Sequence, residues 1–211
     1  MLDKKDLEKI QEELEDYDLT REKMFESSRA ATRLSGWAIV QLHRNDVRDA
    51  EETLEKAKET LTGLRRLLVA RSELNSAPTV VVAFQEYTEA KLRHGIVTKR
   101  KLLSRKQIGV EILPYLLGLL DFIGELRRMV LNNLRKGEAK EAEKNFALME
   151  DVYEDLYSID HTAIIPNFRH KMDIARKLIE STRGDVVTEI RRLSLENTVK
   201  DLSDVLAKRN E

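Results

Sequence analysis

Cysteine is absent from the 211 residues, and glycine and proline are scarce, with 8 and 3 residues. The absence of cysteine excludes disulfide bonds and thiolate metal sites, so carboxylate and imidazole groups are the strong metal ligands that remain. The scarcity of glycine and proline, together with a charged fraction of 36%, favours long helices with solvated faces over short strands joined by turns. We therefore predict an all-α fold.

Long hydrophobic runs and a large net charge are also lacking. No uninterrupted apolar run reaches the roughly 18 residues of a membrane span, and the start, MLDKKDLEKI, lacks the apolar segment of a secretory signal. We therefore expect a cytoplasmic protein with no membrane partner. The net charge of -1 gives no overall basic signature, so any contact with nucleic acid must use local patches.

Breaker residues divide the chain into about seven predicted helices. The first helix runs from near Asp3 to His43 and can break at Tyr17 and Asp18. The next four run from Asp46 to Leu74, from Thr79 to Gly95, from about Ile112 to Arg135, and from Glu138 to Tyr157, and the last two helices meet at Gly184. Gly137 is the C' residue of the helix that ends at Arg135. Short links between such helices favour an antiparallel bundle. We expect residues 1–211 to form one domain, with residues 1–16 either a thin amphipathic helix or a loosely ordered arm.

Four acidic residues lie on two predicted helices that are otherwise strongly apolar. Glu86 and Glu89 follow the run TVVVAF, and Asp121 and Glu125 lie within ILPYLLGLLDFIGELRR. Spacings of three and four residues put each pair of carboxylates on one face of its helix. Gly118 shares the face of Asp121, so this helix surface can admit a close neighbour or a ligand. A carboxylate buried without a partner costs several kcal/mol, so these acids require partners.

If the two helices pack side by side, the four carboxylates converge and can hold a hard divalent ion. Mg²⁺ and Mn²⁺ prefer oxygen ligands, and an ion held there can polarise a phosphodiester and lower the pKa of a bound water. Alternatively, the acids face water or form ordinary salt bridges. Arg93 and Arg128 continue the two acidic faces by one turn and can supply the neutralising charge. The residues alone leave both interpretations open.

Basic residues form local patches that can contact phosphate. Between Glu89 and Glu111 there are seven basic residues and no acid, and arginine can bind phosphate through two hydrogen bonds. Ordinary salt bridges are the alternative. Tyr87 can stack on a base or pack in the core. The candidate nucleic-acid-binding residues are Arg21, Arg29, Arg33, Arg93, Lys99, Arg100, Lys101 and Arg128.

Four segments, in order along the chain, resemble conserved blocks of the translin family. They are TREKMFESSRAATRLSGWAIVQLHR (20–44), FQEYTEA (84–90), PYLLGLLDFIGELRRMVLN (114–132) and ESTRGDVVTEI (180–190). The two glutamates three residues apart in the second segment resemble the catalytic Trax branch in particular, and the third segment contains the family's Gly-Glu-Leu-x-Arg core. The four segments occur in order and together span roughly Leu19 to Arg192, which is nearly the whole chain.

The resemblance implies a Mg²⁺-dependent endoribonuclease, with Mn²⁺ as an alternative ion, that cleaves single-stranded or small RNA inside a hollow shell of about eight subunits. By position, its catalytic and metal-binding residues are Glu86, Glu89, Asp121 and Glu125. The compact connection before the fourth helix favours a homo-oligomer over a subunit that needs a translin partner. Two alternatives remain: a translin-like shell that binds RNA or DNA without cleaving it, and a structural helical bundle that binds no nucleic acid.

Overall fold

The computed structural model describes residues 3–209, without the side chains of Ala70 and residues 204–209. The described residues form seven α-helices and no strand: α1 (Lys4–His43), α2 (Val47–Ala70), α3 (Pro78–Lys99), α4 (Arg105–Ile108), α5 (Ile112–Arg135), α6 (Ala139–Tyr157) and α7 (Phe168–Arg209). Short 3₁₀ segments, Ser72–Ser76 and Thr162–Ile164, follow α2 and α6. The prediction of an all-α fold with about seven helices is confirmed.

Contacts divide the chain into two compact units. Unit 1 comprises the residues up to Leu119, and unit 2 begins at Leu120, so the boundary falls within α5. In unit 1, α1 packs along both α2 and α3, and α2 also contacts α3. In unit 2, α6 packs against α7. The organisation of residues 1–211 as one domain stays a prediction.

Small side chains let α1 pack closely within unit 1. Its buried residues recur every three or four positions, which is the spacing of one helix face; they are Met24, Ser28, Ala31, Ser35, Ala38, Ile39 and Leu42. Helix α2 contributes a similar row of Ala50, Leu54, Ala57, Leu61, Leu64 and Leu68. Alanine and serine between larger aliphatic residues let neighbouring helices interlock at the density of a protein core.

Helix α3 passes Gly95 and continues to Lys99, so the predicted helix end at Gly95 is wrong. A single glycine costs a helix only about 1 kcal/mol relative to alanine, which is too little to end it. The glycine is needed for packing, because a Cβ at this position would lie 2.8 Å from the Lys101 carbonyl oxygen and 2.9 Å from Leu103 Cγ. The helix ends instead at Arg100, whose φ of 50° is left-handed, and the chain then folds back over Gly95.

The last helix is continuous from Phe168 to Arg209, so the predicted helix boundary at Gly184 is wrong. Buried residues keep a helical spacing on both sides of the glycine: Phe168, Met172, Ala175, Ile179, Thr182 and Val186. Because this buried face is uninterrupted, the packing energy outweighs the small cost of one glycine. Helix α1 likewise shows no break at Tyr17 and Asp18.

Helix α5 has the predicted bounds, Ile112–Arg135. Gly137 follows it with a φ of 75°, the left-handed conformation expected of a glycine at the C' position. Although much of α5 is apolar, neither it nor any other helix within residues 3–209 has the length and hydropathy needed to cross a membrane.

Candidate active site

Glu86 and Glu89 lie one turn apart on α3, in unit 1, and both are half-buried. The residues around them on the helix are buried and uncharged: Gln85, Tyr87, Thr88 and Ala90. A carboxylate in such a setting loses part of its hydration and needs hydrogen bonds or a positive charge in compensation. Helix α3 therefore presents two carboxylates at the margin of the unit 1 core. On a fully solvated helix face both would be exposed.

Helix α5 approaches α3 closely at Gly118, within unit 1. A Cβ on Gly118 would lie 2.7 Å from Thr88 Cβ and 2.9 Å from the carbonyl oxygen of Gln85. Carbon atoms in favourable contact are about 3.5–4.0 Å apart, so a larger residue would have to displace the α3 backbone. Gln85 and Thr88 belong to the same turn of α3 as Glu86 and Glu89. The low helix surface predicted at Gly118 is thus occupied by α3.

Asp121 and Glu125 lie one turn apart on α5, in unit 2, and are also half-buried. Lys171 on α7 donates a close hydrogen bond from its Nζ to Asp121 Oδ1 and forms an ion pair with it. The Lys171 and Asp121 side chains have 26% and 25% of their surface exposed, so the pair is only partly accessible to water. Sequence reasoning missed Lys171, because 50 residues separate it from Asp121 and helical spacing relates only near neighbours.

Arg127 joins α5 to α7 within unit 2. Its guanidinium donates to the Thr182 hydroxyl at 2.6 Å and to the Leu178 carbonyl oxygen at 3.3 Å. Thr182 is fully buried, so Arg127 satisfies polar atoms in the interior. Arg128, by contrast, is exposed and can meet a ligand.

Within either unit, the described residues include no group of three or more histidine, aspartate and glutamate side chains placed to hold a metal ion. Each unit contributes one pair of the predicted acids, Glu86 with Glu89 and Asp121 with Glu125. A four-carboxylate site requires both pairs on the same ion. This metal site stays a prediction.

The predicted basic residues are mostly exposed. Those on the surface are Lys99, Arg100 and Lys101 at the end of α3, and Arg21, Arg29 and Arg33 along α1. Arg21 forms an ion pair of 3.3 Å with Asp18 and lies 5.0 Å from the Phe25 ring centroid. Arg29 and Arg33 line a cavity of about 410 Å³ whose other walls are Ser28, Thr32, Pro78, Thr79 and Val82. These six cations are thus exposed to solvent, where an anionic ligand can approach them.

Arg93 is buried, with 4% of its surface exposed. Its guanidinium lies 2.6 Å from His43 Nδ1, which accepts the hydrogen bond as a neutral imidazole nitrogen. His94, the next residue, is also buried, and its Nε2 lies 2.9 Å from Glu51 Oε1. These contacts tie α3 to α1 and α2 inside unit 1. A contact between Arg93 and RNA stays a prediction.

Tyr87 is packed in the core, with 3% of its surface exposed. Its burial, aided by the negative charge of Glu55, raises the pKa of the phenol to about 12. Of the two interpretations open from sequence, core packing is the one the structure shows, since a base can stack only on an accessible ring face.

Comparisons with known proteins agree with this architecture. The Translin family model matches residues 19–181. An uncharacterized protein of Methanocaldococcus jannaschii is 35% identical over 188 residues, which cover 87% of this chain and 82% of that protein. Translin-associated protein X of Rattus norvegicus is 26% identical over 193 residues, which cover 72% of this chain and 67% of that protein.

Two solved structures are also similar. The structure of an AfC3PO–duplex RNA complex matches with a TM-score of 0.76 and 29% identity, covering 89% of this chain and 98% of that chain. The crystal structure of apo-NeC3PO matches with a TM-score of 0.80 and 23% identity, covering 90% of this chain and 98% of that chain. At that identity the second match supports the fold alone.

Proposed function

Because this chain belongs to the translin family, we propose that it is a Mg²⁺-dependent endoribonuclease that cleaves single-stranded RNA inside a hollow homo-oligomeric shell of about eight subunits. Two relatives support the proposal that this chain acts on RNA. One is Translin-associated protein X, and the other, AfC3PO, forms a complex with duplex RNA. We therefore include duplex RNA among the ligands to test, beside the single strand that we propose as the substrate.

The observation that carries the proposal is the close approach of α5 to α3 at Gly118. The adjacent turn of α3 bears Glu86 and Glu89, and Asp121 follows Gly118 by three residues on the same face of α5. A Cβ at Gly118 would lie 2.9 Å from the Gln85 carbonyl oxygen, so the two helix backbones are close at this level. A carboxylate cluster built from these two helices needs such an approach.

The chemistry of these side chains fits a hard divalent ion. Glu86, Glu89, Asp121 and Glu125 would hold it through carboxylate oxygens, the ligands that Mg²⁺ and Mn²⁺ prefer. All four are half-buried, where charge is screened less than in bulk water, so a cation that these acids shared would be favourable. When bound, the ion supplies a Lewis acid that lowers the pKa of a water and stabilises charge on the phosphodiester.

The remaining residues of the proposed site bind and orient the RNA strand. Lys99, Arg100 and Lys101 form an exposed basic group at the end of α3, where they can attract phosphates over a distance of about 10 Å at 0.1 M salt. Arg128 is exposed on the same helix as Asp121 and Glu125 and can contact a phosphate near the carboxylates. In this scheme the acids carry the reaction and the cations position the substrate.

The test replaces Asp121 by Asn and measures cleavage of a labelled single-stranded RNA with Mg²⁺, with a chelator, and after Mg²⁺ is restored. We expect the substitution to reduce cleavage by at least about a hundredfold, since it removes a charged ligand, and the chelator to stop cleavage reversibly. Asp151→Asn, at an exposed position of α6, is the matched control. Cleavage that survives the chelator, or full activity of Asp121→Asn, would contradict the proposal.

A shell that binds RNA without cleaving it is the second candidate function. The ion pair between Lys171 and Asp121 favours it, because a carboxylate whose charge is balanced by a lysine does not require a metal ion. On this alternative, salt-sensitive RNA binding is retained and no divalent ion produces cleavage. The experiment above therefore also separates the two candidates.

A further inference from the structure

The contact between Lys171 and Asp121 joins two helices of unit 2. Lys171 lies near the start of α7 and donates a hydrogen bond from its Nζ to Asp121 Oδ1 on α5. About three-quarters of each side chain is buried, with 26% of Lys171 and 25% of Asp121 exposed. Exposed pairs on one helix, such as Arg176 with Asp173, follow from local spacing, whereas this pair depends on how α5 and α7 pack.

A lysine in this position can both hold the carboxylate and release it. Its ammonium is a compact charge on a flexible stem, so it places a positive charge next to the carboxylate oxygen without a fixed geometry. An arginine would form two parallel hydrogen bonds with the same carboxylate and would be harder to displace. The partial exposure of the pair leaves Asp121 accessible to a cation from solvent.

We propose that Lys171 is a positioning residue of the candidate cleavage site, which holds the Asp121 carboxylate when no metal ion is bound and competes with the divalent ion for it. This inference rests on the proposed function, in which Asp121 is a metal ligand. The Lys171 ammonium is bonded to Oδ1 of this carboxylate when no ion is bound, and an ion that binds through the same oxygen displaces it. Lys171 thereby sets the concentration of divalent ion at which the site fills.

The experiment measures Mn²⁺ affinity of the full chain by electron paramagnetic resonance of the unbound ion, without RNA. We expect Lys171→Met to bind Mn²⁺ more tightly, by on the order of tenfold, because a positive charge next to the site is removed. Lys171→Arg should bind more weakly than the unmodified protein, because the bidentate guanidinium is retained by the carboxylate. Lys177→Met, at an exposed position of the same helix, should leave the affinity unchanged.

The opposite signs of the two variants distinguish positioning from a purely structural salt bridge. A structural bridge predicts that Lys171→Met lowers thermal stability and Mn²⁺ affinity together, and that Lys171→Arg restores both. Thermal unfolding of each variant identifies loss of fold, and Lys171→Arg keeps the test valid if Lys171→Met does not fold. In an Asp121→Asn background, the Lys171→Met effect should disappear, because the lysine acts through that carboxylate.

The outcomes also separate this inference from the proposed function. If the unmodified protein binds no Mn²⁺, both the metal-dependent function and the role of Lys171 are contradicted. If it binds Mn²⁺ and cleaves RNA, but neither Lys171 variant changes the affinity, only the role of Lys171 is overturned.

Discussion

The two pairs of acids lie beside different kinds of contact between helices. In unit 1, Glu86 and Glu89 lie among buried, uncharged neighbours on α3, at the level where α5 touches that helix through Gly118. In unit 2, Asp121 accepts a hydrogen bond from the ammonium of Lys171. A close backbone contact therefore lies beside the first pair, and an ion pair between two helices holds Asp121 of the second.

This difference predicts which perturbation affects each pair. A close-packed helix contact responds to a change of volume, because a protein core has few voids to absorb an extra atom. A partly exposed ion pair responds to charge, salt and competing cations. Steric and electrostatic substitutions should consequently act on the two pairs separately.

The largest effect is expected from Gly118→Ala, which tests the packing in unit 1. The added Cβ would lie 2.7 Å from Thr88 Cβ, so α3 and α5 must move apart. We expect a loss of about 1–3 kcal/mol in the free energy of unfolding, as in other overpacked cores. If the carboxylates of the two helices act together, a displacement near 1 Å should reduce RNA cleavage roughly a hundredfold.

Gly124→Ala is the matched control, because it lies on the same helix and its Cβ would meet no atom within 4 Å. Alanine is a better helix former than glycine, so this variant should be more stable by about 0.5–1 kcal/mol. Urea unfolding and RNA cleavage are measured for both variants. Equal stability of the two would show that the contact at Gly118 is not tight, and would remove the main support for a shared carboxylate site.

The second prediction concerns surface charge, and it compares the two units as RNA contacts. The double variant Lys99→Gln/Lys101→Gln, in unit 1, should weaken RNA binding roughly twentyfold at 0.1 M salt. This figure follows from the loss of two phosphate contacts, each of which contributes about 0.7 to the slope of log affinity against log salt concentration. Both lysines are exposed, so the free energy of unfolding should not change. Arg100 is left intact because its left-handed backbone ends α3.

Arg128→Gln, in unit 2, is the comparison for this double variant. Arg128 is a single exposed charge, so its loss should reduce affinity by no more than about fivefold under the same conditions. Binding is measured by fluorescence anisotropy over a series of salt concentrations. A salt slope unchanged in the double variant would exclude the end of α3 as an RNA contact.

Local features of the fold were predictable, and features that depend on packing between helices were not. The bounds of α5 and the left-handed Gly137 follow from apolar periodicity and helix-capping preferences, which act within a few residues. The continuations of α3 past Gly95 and of α7 past Gly184 depend on tertiary contacts, which outweigh the cost of one glycine.

The same distinction applies to the candidate site. Spacing identified Glu86 with Glu89 and Asp121 with Glu125 as pairs on helix faces, and it marked Gly118 as a place of close approach, now observed against Thr88. It could not identify Lys171 or Arg127, whose partners lie 50 or more residues away. Helical periodicity relates residues three and four apart, whereas these contacts depend on the rotation and shift of one helix against another.

The smallest effect is expected from Tyr87→Phe, which tests the burial of α3 beside the unit 1 acids. Burial raises the pKa of this phenol to about 12 from its ordinary value of 10.0, so folding favours its protonated form. The resulting stabilisation is present in full below pH 10 and is lost as the pH rises through 12, by at most about 1.4 kcal/mol per pH unit. The variant should lack this part of the alkaline loss of stability and behave like the unmodified protein at pH 7. Phenolate absorbance, recorded as the difference between the two proteins, should rise near pH 12. A rise near pH 10 would mean that Tyr87 is accessible to solvent and that α3 is not packed as described at the turn that bears Glu86 and Glu89.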